Sequence, residues 1–106
     1  MGIGLEYRDV IAAIATPQGR GGVSIVRVSG PDLATWGDRL VGKRIETRRP
    51  MRVSFLDDAR AVLDDGLLLY FPAPHSYTGD DVLELHGHGG PVVSSMLLRR
   101  ALQLGA

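Results

Sequence analysis

At 106 residues the chain has room for one domain and not for two, and a fold of this size buries roughly 60–70% of the surface its unfolded chain exposes. Hydrophobic residues make up 44% and charged residues 23%, an ordinary globular balance, with no apolar run near the roughly 20 residues of a membrane span. The absence of cysteine excludes disulfides, thiolate chemistry and cysteine-ligated zinc, and with no signal peptide visible in MGIGLEYRDV it fits the expectation of a cytoplasmic protein without a membrane partner.

Residues 9–16 (DVIAAIAT) read as a short apolar strand ended by Pro17, and PQGRGG (17–22) as a loop rich in glycine. VSIVRVS (23–29) has the β-branched content of a strand. A helix is predicted from about Pro31 to Val41, capped by Ser29 or Gly30, with Leu33, Trp36 and Leu40 on one stripe and Gly42 as its stop. Residues 52–56 and 61–71 read as a hairpin around Asp57–Arg60, with Gly66 a candidate bulge. PAPHSYTGDD (72–81) is a loop, VLELH (82–86) a strand, and Pro91 opens a last helix with Val93, Met96, Leu97, Ala101 and Leu104 on one face. The order β-β-α-β-β-β-α predicts an α+β fold, a mixed sheet with helices packed on one face.

Net charge is zero but unevenly spread. Residues 1–53 carry nine Lys/Arg against five Asp/Glu, and 54–106 three against seven. The basic excess centres on Arg39, Lys43, Arg44, Arg48, Arg49 and Arg52. A phosphate contact is one reading of this cluster; a solvated loop flanking a helix end is the preferred one.

Two charges stand inside strands. Both faces of VSIVRVS are largely apolar, as in a central strand, yet Arg27 shares the face of Val23 and Ile25, where water should be scarce. In VLELH, Glu84 lies with Val82 and His86, opposite Leu83 and Leu85. An ionised group in low dielectric costs several kcal/mol unless paired and hydrogen-bonded. Either Arg27 and Glu84 pair with each other, or a solvated face holds one of them, or both line a ligand cavity. In the last case the carboxylate suits an amino-pyrimidine-like edge and the arginine an anion or a planar ring.

Other patterns carry less. Gly37–Arg44 falls short of a phosphate-binding loop, because it sits in a helix end and has arginine where magnesium needs Ser or Thr. His86 and His88 lack an evident third metal ligand, and His75 has no partner that suggests catalysis. No catalytic residue and no metal site are assigned.

The stretch DVIAAIATPQGRGGVSIVRVSGP (9–31) resembles the opening of the MnmE (TrmE) family of tRNA-modifying GTPases, D-T-I-x-A-x-A-T-P-x-G-x-G-G-x-x-x-x-R-x-S-G. FPAPHSYTGDDVLELHGHGGP (71–91) resembles the family's F-x-x-P-x-S-Y/F-T-G-E-D-x-x-E-x-x-x-H-G-G, with Val10 and Asp80 as the small departures. The resemblance implies that residues 1–106 are a folate-binding and dimerisation N-terminal domain related to the tetrahydrofolate-binding fold of aminomethyltransferases. It carries the family's folate-contacting arginine onto Arg27 and its glutamate onto Glu84, and it places a further folate contact beyond Ala106. It implies a tetrahydrofolate derivative (5-formyl or methylene) as cofactor and a homodimer as the assembly. The FAD-dependent MnmG-type protein and tRNA are the implied partners of the whole protein. The chain is expected to be a fragment whose helical and G domains, with their GTP, magnesium and potassium, lie elsewhere, and to be non-catalytic alone. The alternatives are a free-standing folate-dependent one-carbon transferase and a dimerisation module without folate binding.

Overall fold

The computed structural model describes residues 10–15, 22–47, 49–73 and 80–106. Strands β1 (Ile11–Ile14) and β2 (Val23–Gly30) precede helix α1 (Leu33–Val41). Strands β3 (Met51–Leu56), β4 (Val62–Phe71) and β5 (Asp81–His88) then lead to helix α2 (Pro91–Gln103). This is the element order expected from the sequence. The sheet runs β1-β2-β5-β4-β3, and every ladder in it is antiparallel. The α+β class with one-sided helices therefore holds, and the expected mixed sheet narrows to a wholly antiparallel one.

Strand alternation explains where the core sits. Val26 and Val28 of β2, Leu83 and Leu85 of β5, Leu68 and Tyr70 of β4, and Val53 and Phe55 of β3 all project to one side. There they meet Leu33, Trp36 and Leu40 of α1 and Leu97 and Ala101 of α2 in a single buried cluster. The predicted stripe of α1 is thus its core face. On α2 the buried turn is Ser94, Leu97, Arg100 and Ala101, with Val93 partly covered. The Trp36 indole N–H donates to the Leu104 carbonyl at 3.1 Å, tying the two helices at one end.

Three local expectations are corrected. Helix α1 begins at Leu33, and neither Ser29 nor Gly30 caps it because both belong to β2. The cap position falls to Asp32, which adopts a left-handed backbone (φ 56°) and makes no side-chain cap bond. The free Leu33 amide instead donates to Asp81 Oδ2 at 3.0 Å, a carboxylate brought in by β5. The ladder irregularity of the β3–β4 hairpin lies between Phe55 and Leu56, not at Gly66. Gly66 is required for a different reason: a Cβ there would run into the His86 carbonyl oxygen. The stop at Gly42 holds, with φ 73° and its amide bonded to Asp38 O at 2.8 Å.

Candidate ligand site on the open face of the sheet

The sheet side opposite the helices carries Val23, Ile25, Arg27 and Ser29 from β2 and Glu84 and His86 from β5. No described helix covers this side, so β2 is an interior strand with one face accessible. Arg27 is accordingly less enclosed than its apolar neighbours suggest; its side chain is 40% exposed, whereas Glu84, on the central strand, is 14% exposed.

Arg27 and Glu84 are direct cross-strand partners in the β2–β5 ladder. Arg27 Nε and Nη2 both donate to Glu84 Oε2, at 3.0 and 2.8 Å. The second oxygen, Oε1, lies 3.0 Å from His86 Nε2, two residues along the same face. The two charges that stand out in the sequence are therefore brought together, and the pairing alternative describes their geometry. One carboxylate at the centre of the sheet is held between a guanidinium and an imidazole.

Sequence reasoning passed over two other carboxylates. Asp64 Oδ1 lies 2.7 Å from His88 Nδ1, and its Oδ2 accepts the His88 amide at 2.8 Å. Asp81 accepts from Leu33 N, from Tyr70 Oη at 3.2 Å and from Ala73 N at 2.8 Å. Burial and the neighbouring Asp81 charge push the Tyr70 hydroxyl up to about 12. No sequence pattern shows these pairings, because each joins parts of the chain that only the folded sheet brings together. The second block of the resemblance contains both Asp81 and His88, and that was the available signal.

Among the described residues no group of three His, Cys, Asp or Glu side chains could hold a metal ion. His86 and His88 turn instead to different carboxylates. His75, Arg48 and all of the 17–22 loop except Gly22 lie outside the described residues. Among the described residues no helix is long and apolar enough to cross a membrane.

The chain is thus a small antiparallel α+β unit with a paired acid and base on the sheet face opposite its helices. Its lineage follows from its relatives. The family described as "GTP-binding protein TrmE N-terminus" matches residues 10–106, and the chain belongs to that family. It is 55% identical to the tRNA modification GTPase MnmE of Nitrosomonas eutropha, over 96% of this chain and 23% of that protein. The corresponding protein of Pseudomonas savastanoi pv. phaseolicola is 58% identical over 93% of this chain and 22% of its own length. That of Thiobacillus denitrificans is 56% identical over 92% and 22%. The chain spans less than a quarter of the length of these relatives.

Proposed function

We propose that this domain binds a reduced folate on the open face of its sheet and, as a homodimer, presents it to a tRNA-modifying GTPase in the cytoplasm. The observation that carries the reading is the Arg27–Glu84 pair, set opposite the helices on the two innermost available strands. Glu84 is the acceptor for the amino-pyrimidine edge of the pterin. Arg27, more exposed, contacts the ligand by charge or by stacking on its ring. These residue types fit the group: a folate has a donor-rich heteroaromatic head and an acidic tail, and the face offers an acceptor and cations in reach of each other. The bound folate would supply a one-carbon unit. The chemistry on the wobble uridine, the GTP with its magnesium and potassium, and contact with an FAD-dependent MnmG-type partner belong to the whole protein.

Titration calorimetry with 5-formyltetrahydrofolate tests this. Glu84→Ala is expected to weaken binding by about 1.5–3 kcal/mol for each charged hydrogen bond removed. Unaltered affinity in that variant rules out the role given to Glu84. Sedimentation with and without the ligand tests the dimer; a chain that dimerises yet takes up no folate is a dimerisation module alone.

A further inference from the structure

The open face does not end at Glu84. Ladder register sets transverse rows across it: Arg27, Glu84 and Leu69 form one, and Ile25, His86, Leu67 and Arg52 form the next. Beyond Leu67, which is 39% exposed, the face opens into a trough of about 680 Å³. Lys43, Arg52, Ser54, Asp65 and His88 line it. The cations here are placed and available. Lys43 Nζ donates to the Arg52 carbonyl at 3.3 Å, and among the described residues neither Lys43 nor Arg52 has a carboxylate partner. The acidic neighbours are engaged: Asp65 accepts from Ser54 Oγ at 2.6 Å, and Asp64 holds His88 Nδ1 at 2.7 Å. A smaller hollow of about 290 Å³ shares Lys43 and Arg52 and adds Arg49 together with Glu46, its ion-pair partner at 3.9 Å.

We infer that this trough receives the acidic tail of the ligand whose head sits at Glu84, and that the domain prefers a folate carrying an oligo-γ-glutamyl chain over the monoglutamate. The inference rests on the folate reading above. Two strand spacings and one row separate Glu84 from Arg52, a Cα distance of about 12 Å for a flat sheet. An extended p-aminobenzoyl-glutamate arm covers that span, with its apolar ring over Leu67 and its carboxylates arriving between Lys43 and Arg52. Each further glutamyl unit adds a carboxylate within reach of the same lining.

Calorimetry comparing 5-formyltetrahydrofolate as monoglutamate and as triglutamate decides the matter, with the intact chain and its Lys43→Gln/Arg52→Gln double variant. The native chain should bind the triglutamate roughly five- to tenfold tighter, the gain expected of two partly exposed charge contacts. That preference should shrink as salt is raised. The double variant should lose the preference, and its monoglutamate affinity should fall by a smaller factor, because the first glutamate already meets the same two cations. Equal binding of the two forms by the native chain overturns the tail site and leaves the folate reading standing. A preference that survives in the double variant overturns it as well. Binding of neither form removes both readings together. If tRNA, and not chain length of the folate, is what the double variant responds to, the trough is a nucleic-acid contact and the tail assignment is wrong.

Discussion

Asp81 does more for this fold than its place at a strand start suggests. One carboxylate accepts from the first amide of α1, from the Tyr70 hydroxyl and from the Ala73 amide, so it joins a helix start, a core side chain and the chain just past β4. The left-handed Asp32 at the helix cap makes no side-chain cap bond, which leaves the Leu33 amide to Asp81. Removing the carboxylate takes the partner from three donors at once, and donors that lose their partner in partly buried positions cost about 1–3 kcal/mol each. Water reaches Ala73, so the sum falls short of three full penalties. Asp81→Ala is expected to lower unfolding free energy by about 2–4 kcal/mol, and Asp81→Asn by about half as much because an amide oxygen still accepts. Urea titration reads this directly; a midpoint unmoved in the alanine variant contradicts the role.

Among the elements, what could be foreseen and what could not divides along a physical line. Helix α1 was legible because its apolar stripe and its glycine stop are local signals, and β2 because β-branched residues crowd one short run. Arg27 and Glu84 were legible as anomalies, charges where strands should be apolar. That they oppose each other in register was not legible, since pairing partners 57 residues apart are set by the sheet and not by spacing. Gly66 shows the same limit. Its sequence context allows a bulge, but the folded reason for glycine is the close approach of β5, whose His86 carbonyl occupies the place of a side chain. The obstacle is backbone in a central ladder and cannot swing away as a flexible side chain would. Gly66→Ala is therefore expected to part β4 from β5 locally and to destabilise the domain by several kcal/mol, about 3 or more. Thermal melting checks it, with Gly22→Ala as the companion variant, because a Cβ at Gly22 meets nothing within 4 Å. Equal melting temperatures for the two would show that the strands do not cross as closely as described.

At the scale of the whole molecule, both helices and the core lie on one side of the sheet and the charged ladder on the other, so the residues that hold the fold and those proposed to bind a ligand occupy different faces. Tyr70 belongs to the core side and makes the stability of the entire domain depend on alkaline pH. Its hydroxyl is held up to about 12 by burial first and by the Asp81 charge second, against about 10 in the unfolded chain. Below pH 10 both states keep the proton and this group contributes no slope. Between about 10 and 12 the unfolded chain releases it while the folded chain does not. The unfolded state then binds fewer protons, so stability falls as pH rises, by an amount of order 2 kcal/mol across the window. Tyr70→Phe removes the titrating group along with its bond to Asp81. The variant should be less stable than the native chain near neutrality, and the gap should close as pH climbs from 10 toward 12. Chemical unfolding at a series of pH values measures that gap. A constant difference would mean that Tyr70 ionises alike in both states, and that Asp81 leaves its hydroxyl unperturbed.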